Sequence, residues 1–164
     1  TNLFLGQFLY QARQYDQANE PIQTALEIAP NDWLARLNLG KVYVQQGKYG
    51  EAIAEFQKAR EFSGTNTETI AVLGHALAVS GKSGEAQRVL DELKSMSKQR
   101  YVPPYNIAIL YAGLGEKEQA IAWLEKGYED RDVRLVFLKV EPKWDALRAD
   151  QRFIDIIRRM GLAQ

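Results

Sequence analysis

The amino-acid sequence predicts an all-α solenoid, in which helix–turn–helix repeats stack side by side and a C-terminal helical segment caps the last repeat. Three observations support this fold class. Small residues, bulky apolar residues and turn glycines each recur along the chain at the same interval of 34 positions. An interval of this length accommodates two helices and the turn between them.

The small residues mark the positions where the two helices of one repeat approach each other closely. They form two series, which are Gly6, Gly40, Gly74 and Ala108, and Ala18, Ala52, Ala86 and Ala120. Side chains of this size bring the backbones themselves into contact, because no bulky group keeps the helices apart. A third series is bulky and surrounds this contact: Ile22, Phe56, Leu90 and Leu124. One repeat cannot bury all of its apolar faces, so neighbouring repeats have to stack.

Turn signals separate the predicted helices and the predicted repeats. Within the repeats, three of the four turns carry a glycine, at Gly47, Gly81 and Gly115. Between the first two repeats, Pro30 ends one helix, and Asn31 or Asp32 is available to cap the next. The polar run SGTNTE at 63–68 predicts the corresponding boundary one repeat later.

The stretch WLARLNLGKVYVQQGKYGEAIAEFQKAREF resembles the tetratricopeptide-repeat family most clearly. Its matches to the family's signature sites are Leu39, Gly40, Tyr43, Gly47, Tyr49, Ala52, Phe56 and Ala59. The resemblance implies a right-handed solenoid of four repeats over residues 1–132, at about 1–30, 31–64, 65–98 and 99–132. Residues 133–164 are left for the helical cap.

The C-terminal tail departs from the repeat pattern. Asp150 is the predicted N-cap of a last helix, with the apolar stripe Phe153, Ile156, Ile157 and Met160. The run RLVFLKV at 134–140 is short and apolar, which suits a strand or a helix. We interpret it as helical because helical repeats offer no strand partner. The tail is also similar to tails of bacterial multidomain signalling proteins, which carry such repeats behind a Ser/Thr kinase or a winged-helix domain.

Composition excludes several classes of function. Lysine plus arginine and aspartate plus glutamate both total 21, so a basic surface for nucleic acid or anionic membranes is not expected. No apolar run approaches the roughly 18 residues of a membrane span. The absence of cysteine excludes disulfides and thiolate metal sites and is typical of a cytoplasmic chain. The chain opens within an amphipathic pattern, from which we expect a piece of a longer protein.

Motifs that imitate catalytic or binding chemistry have simpler explanations. The run SGKS at 80–83 resembles the end of a phosphate-binding loop, but Ala76 stands where that motif needs a glycine. His75 is the only histidine, so a zinc site or a Ser-His-Asp triad is not expected. The spaced glutamates of the helices are typical of solvated faces. The sequence therefore predicts no enzyme, no cofactor and no metal.

What remains is the concave groove, which the resemblance places along the first helix of each repeat. We expect a protein or peptide partner there and predict these binding residues: Gln7, Tyr10, Gln11, Leu37, Asn38, Lys41, Val44, Gln45, His75, Val79, Tyr105 and Ile109. The predicted function is a non-catalytic protein-interaction module. The alternatives are self-association, which would make the chain a homo-oligomer, and, from another class of function, an enzyme.

Overall fold

The structure, a computed structural model, describes residues 2–162, and every regular element within that range is helical. The α-helices there are α1 Asn2–Gln11, α2 Tyr15–Ile28, α3 Trp33–Gln45, α4 Tyr49–Ser63, α5 Thr67–Val79, α6 Ser83–Ser97, α7 Pro104–Gly113, α8 Lys117–Glu129 and α9 Gln151–Arg159. Two 3₁₀ helices, Val133–Phe137 and Pro142–Leu147, lie between α8 and α9. The predicted all-α solenoid is confirmed. The outermost residues of the predicted ranges, at positions 1, 163 and 164, lie outside the described part of the chain.

The helices pack as four consecutive pairs, α1 with α2, α3 with α4, α5 with α6 and α7 with α8. Each pair rests on the next through contacts between α2 and α3, α4 and α5, and α5 and α7. One apolar core runs from α3 to α9, and a smaller cluster around Tyr10 and Ile22 completes the first pair. This continuous stacking is what the fold class predicts, since single pairs leave apolar faces open.

Close helix contacts lie at the predicted small residues. A Cβ atom added at Gly40 would lie 2.5 Å from Cε1 of Phe56, and one added at Gly6 would lie 2.3 Å from Cγ1 of Ile22. Ala52 is fully buried in the same repeat. In the first two pairs, the bulky side chain therefore fills the space that the missing Cβ leaves free.

The turns within the pairs have a left-handed backbone conformation. Gly47, Gly81 and Gly115 have φ values of +73°, +86° and +78°. Arg13 occupies the same register with a φ of +62°. Glycine adopts this conformation without steric cost, whereas a residue with a Cβ is strained there. Arg13 is therefore the exception among these turns.

Side-chain caps begin the first helices of the second and third pairs. Asp32 accepts hydrogen bonds from the backbone N–H groups of Leu34 and Ala35 at the start of α3. Asn66 accepts from the N–H groups of Glu68 and Thr69 at the start of α5. An N-cap thus lies within each of these two turn signals.

The tail folds back as a cap, and we call residues 132–150 the closing segment. The interpretation of its apolar run as helical holds over Val133–Phe137, although the helix is of the 3₁₀ type. Leu135, Leu138 and Trp144 are fully buried against the last repeat. Asp150 caps α9 as predicted, and the α9 residues Phe153 and Ile156 are buried. Within the described residues, no helix is long and apolar enough to span a membrane.

Candidate functional site

The site with the clearest geometry is a pocket of about 300 Å³ on the inner side of the solenoid. Its walls come from α1, α3, α5 and α7, which are the first helices of the four pairs, and from the closing segment. The repeat stacking brings the four helices to one face. The tail then crosses that face, so the pocket has a wall that the repeats alone do not provide.

Seven of the twelve residues predicted to bind a partner line this pocket. They are Gln7, Tyr10, Gln11, Asn38, Lys41, Tyr105 and Ile109. They come from α1, α3 and α7, whereas the contribution of α5 is Glu68 and Val72. The side chains therefore combine amides, one ammonium group, two phenols and aliphatic surface.

The structure does not bring the other five predicted residues to this pocket. Leu37, Val44 and His75 are buried in the core, and Val79 packs against it. Gln45 instead lines a shallower depression beside the turn between α1 and α2. At four of these five positions the side chain therefore packs into or against the core and does not face an open groove.

His75 illustrates the difference between a groove position and a core position. A Cβ atom added at Gly113 on α7 would lie 3.0 Å from Cδ2 of His75, so the ring packs between α5 and α7. Its buried Nδ1 has no hydrogen-bond partner among the described residues. Burial, together with the nearby charge of Lys143, lowers the pKa of His75 to about 3. The imidazole is therefore neutral at physiological pH. Because the ring is buried between the two helices, it does not line the pocket.

Sequence reasoning missed four polar residues that line the pocket: Asn106, Arg134, Glu141 and Lys143. Asn106 lies two repeat lengths after Asn38, so extending the register of Asn38 would have identified it. The other three belong to the closing segment, which lies outside the repeat pattern. No periodic signal assigns them to the inner side.

The closing segment reaches the first repeat through a buried polar cluster. The hydroxyl of Tyr10 donates a hydrogen bond to Oε1 of Glu141, across 131 positions of the chain. Nζ of Lys143 lies 2.8 Å from the same oxygen and 5.8 Å from the centroid of the Tyr10 ring. The first repeat and the closing segment are thus joined across the inner side.

An ion pair beside this cluster makes the second contact. The two terminal guanidinium nitrogens of Arg13, Nη1 and Nη2, donate to the two carboxylate oxygens of Asp145, at 2.8 Å and 2.7 Å. This geometry is bidentate and fixes the orientation of both groups. Both side chains are nearly half exposed, at 48% and 43%, so the pair is open to water. We call the contacts of Tyr10 and Arg13 with Glu141, Lys143 and Asp145 the clasp.

The buried charges of the clasp shift each other's protonation. Burial alone would raise the pKa of Glu141, but the charges of Lys143 and Lys41 and the hydrogen bonds from Lys143 and Tyr10 lower it to about 2. Burial lowers the pKa of Lys143 from its ordinary value, despite the attraction of Glu141. Desolvation of the ammonium group thus exceeds what its carboxylate partner restores.

The remaining acid of the pocket is also paired. Nζ of Lys41 lies 3.2 Å from Oε1 of Glu68. Burial raises the pKa of Glu68, but the charge of Lys41 and its hydrogen bond outweigh this, so the net shift is downward. Both pocket carboxylates are therefore held ionised and bound to lysine, which makes them poor general acids or bases. Among the described residues, no group of three or more His, Asp or Glu side chains could hold a metal ion.

Two further interactions define the floor of the pocket. Nε1–H of Trp144 donates to the hydroxyl of Tyr105 at 3.1 Å, and the two rings meet edge to face at a centroid distance of 5.2 Å. Asn106 is fully buried, and its Nδ2 donates to Oγ1 of Thr67 at 2.9 Å. Its Oδ1 has no hydrogen-bond partner within residues 2–162, the part of the chain that the structure describes. A buried amide oxygen of this kind favours a ligand or solvent donor, because an unsatisfied acceptor costs free energy.

Three family models described as tetratricopeptide repeat match the chain, at residues 5–66, 71–92 and 105–129. The BBSome complex member BBS4 is similar in both Bos taurus and Mus musculus, at 25% identity over 159 residues, which cover 97% of this chain and 29% of that protein. Superkiller complex protein 3 of Mus musculus is 30% identical over 111 residues, which cover 68% of this chain and 7% of that protein. This chain therefore spans less than a third of the length of these relatives.

Among solved structures, the crystal structure of MamA resembles the chain with a TM-score of 0.52 and 18% sequence identity. The match covers 96% of this chain and 97% of MamA. At this level of identity the likeness concerns the fold alone.

Proposed function

Because the chain is built from tetratricopeptide repeats, we propose that it is a non-catalytic protein-interaction module that binds a short partner segment in the inner pocket. One observation carries this proposal. A pocket of about 300 Å³ is lined by all four first helices and the closing segment, and it offers aliphatic surface together with four amide side chains. Pockets that bind ligands are typically concave and largely preformed, with a few polar groups that fix orientation.

The chemistry of the lining indicates what kind of segment would bind. Gln7 and Gln11 offer donors and acceptors for a peptide backbone, and Ile109 offers apolar area. Asn38 also lines the pocket, but it is buried and its Nδ2 already donates to the backbone oxygen of Leu34. Arg134 lies 3.9 Å from its nearest carboxylate oxygen, on Asp132, so its guanidinium is available to an acidic group. We therefore expect an uncharged or mildly acidic partner with an apolar anchor, bound with an affinity around micromolar, or about −8 kcal/mol.

The relatives support an interaction role in general terms. BBS4 and Superkiller complex protein 3 are both named as members of complexes. An enzyme is the less favoured function, because the pocket carboxylates are paired with lysines and the histidine lies in the core. The bacterial signalling context and the cytoplasmic location remain predictions from the sequence.

Pocket variants test the proposal once a partner has been captured with the full chain as bait. Gln7→Ala and Lys41→Gln alter half-buried pocket side chains, and Glu61→Ala on exposed α4 is the control. We expect each pocket variant to weaken binding several-fold in calorimetric titration, with no change for the control. Loss of binding in the control alone would refute the pocket as the binding site.

Self-association is the second candidate function, and a separate surface favours it. Four large apolar side chains of the first pair are exposed: Phe4, Leu5, Phe8 and Ile28. Exposed apolar patches of this kind often mark protein contacts. Light scattering over a range of concentrations would detect an oligomer, and Phe4→Ser with Phe8→Ser should return it to a monomer. A chain that is monomeric at every concentration would exclude this candidate.

A further inference from the structure

The inner side of the first repeat already holds a segment of this chain. Tyr10 and Arg13 each bind a carboxylate from the closing segment, Glu141 in the first case and Asp145 in the second. The two acids are four positions apart and point to the same repeat. The surface around Tyr10 and Arg13 is therefore shaped to accept two carboxylates from one short segment.

The two sides of the closing segment are held in different ways. On the side of the last repeat, Leu135, Leu138 and Trp144 are fully buried in the main core. On the side of the first repeat, the hydrogen bonds and ion pairs of the clasp join the closing segment to Tyr10 and Arg13. Within the clasp, the contacts of Tyr10 and Lys143 with Glu141 are buried, whereas the Arg13–Asp145 pair is open to water. Solvent-exposed ion pairs such as Arg13–Asp145 are weak and are screened by salt. If the closing segment separates from one of its two neighbours, we expect the clasp to break while the closing segment stays on the last repeat.

Burial of Lys143 also favours opening. Only 3% of its side chain is exposed, and burial lowers its pKa although it contacts Glu141. Separation of the first repeat from the closing segment would return water to this ammonium group. The recovered hydration offsets part of the lost clasp contacts.

The backbone at Arg13 provides independent support for a role of this residue. The equivalent turns carry glycine, whereas Arg13 is held at a φ of +62°. A residue with a Cβ in this conformation is strained, and such strain is often found at functional positions. The side chain that glycine lacks is the one that reaches Asp145.

We propose that the inner side of the first repeat is a binding surface for a partner segment carrying two carboxylates about four residues apart, and that Glu141 and Asp145 occupy it as an internal competitor. The inference rests on the proposed function, to which it adds the chemistry of the partner and a control of access. An incoming acidic segment replaces Glu141 on Tyr10 and Asp145 on Arg13. The chain is autoinhibited until that exchange takes place.

The experiment uses the full chain and, as the probe, a fluorescent peptide of residues 139–148, KVEPKWDALR. The chain is compared with its Glu141→Gln/Asp145→Asn variant, which keeps the size of both side chains but removes the internal acids. Asp155→Asn on α9 is the matched control, because Asp155 is also paired with a nearby arginine, at 2.9 Å. Far-ultraviolet circular dichroism verifies that each variant is folded.

We expect the double variant to bind the probe at least about tenfold more tightly than the unmodified chain, and the control to bind like the unmodified chain. Adding Tyr10→Phe and Arg13→Gly to the double variant should abolish this gain. A probe with both acids replaced by amides should bind no variant. If the double variant does not fold, Asp145→Asn alone should raise the affinity by a smaller factor.

Equal affinity of the unmodified chain and the folded variants would overturn the internal competition. It would leave the pocket proposal standing, since that depends on Gln7→Ala and the captured partner. A distance measurement adds a readout without any ligand. The chain has no cysteine, so two cysteines introduced at the exposed positions Gln17 and Ala149 would be the sole sites that a thiol-reactive label modifies. The distance between them should lengthen or broaden in the double variant, and an unchanged distribution would also contradict the proposal.

Discussion

Substitution of Gly40 by alanine tests the close helix contact on which the repeat fold depends. The new Cβ would lie 2.5 Å, 2.7 Å and 2.9 Å from three ring atoms of Phe56, which is fully buried. Overpacking of a core costs about 1–3 kcal/mol. Replacing a helical glycine by alanine gains about 1 kcal/mol from helix propensity. We therefore expect a net loss of between about 0 and 2 kcal/mol.

The matched control is Gly84→Ala, because an added Cβ at Gly84 in α6 meets no atom within 4 Å. This variant should gain stability from propensity alone. The two alanine variants should therefore differ by about 1–3 kcal/mol in free energy of unfolding. For a chain of this size, each kcal/mol moves the Tm by about 2–4 °C, which thermal unfolding followed by circular dichroism resolves. Gly40→Ala combined with Phe56→Leu should cost less than the sum of the single changes. Equal Tm values for Gly40→Ala and Gly84→Ala would refute the close contact.

Three further predictions concern the cap and the clasp. Despite burial, Lys143 and Lys41 lower the pKa of Glu141 from an ordinary 4.5 to about 2. Its ionised form therefore adds stability above pH 4.5, and this stability is lost as the pH falls towards 2. Acid unfolding should therefore be less steep for Glu141→Gln than for the unmodified chain. Trp144→Ala should lower the free energy of unfolding in urea by about 3–5 kcal/mol, because a cavity replaces a fully buried indole. A loss no larger than that of the exposed control Glu61→Ala would contradict the role of Trp144 in the core. Asp32→Ala should cost about 0.5–2 kcal/mol through loss of the cap of α3, whereas Asn31→Ala should be neutral.

The repeat pattern predicted the fold because it determines which residues lie in each close contact. Gly40, Ala52 and Phe56 are at their predicted positions, and the turn glycines have the left-handed conformation that only glycine adopts freely. The pattern also predicted some of the residues that line the pocket. Lys41 and Asn38 line the pocket because the register places the inner face of α3 there.

The closing segment could not be predicted in the same way. Its 3₁₀ helices follow no period, and its contacts with Tyr10 and Arg13 join positions more than 130 residues apart. Sequence reasoning therefore assumed an open groove, in which Tyr105 would be free to bind a partner. The hydroxyl of Tyr105 instead accepts a hydrogen bond from Trp144, and its backbone N–H donates to Asp132. Tyr105→Ala is consequently expected to destabilise the fold and is a poor probe of binding.

The ion pairs of the cap do contain a signal that extends the repeat pattern. Arg152 pairs with Glu118, and Arg159 pairs with Glu125; each pair is separated by 34 positions. This is the repeat interval itself, so α9 stands one repeat after α8 in register. The cap therefore takes the place of a further repeat, with 3₁₀ helices instead of a first helix.

A nuclear magnetic resonance titration of the captured partner into the ¹⁵N-labelled chain tests the central claim most directly. Four side-chain amides line the inner pocket, and each has its own pair of NH₂ signals: Gln7, Gln11, Asn38 and Asn106. We predict that these signals shift together and saturate with the affinity measured by calorimetry. Signals from exposed amides such as Gln57 and Gln87 should stay in place. Shifts confined to those exposed amides, with the four pocket amides unchanged, would contradict binding at the inner pocket.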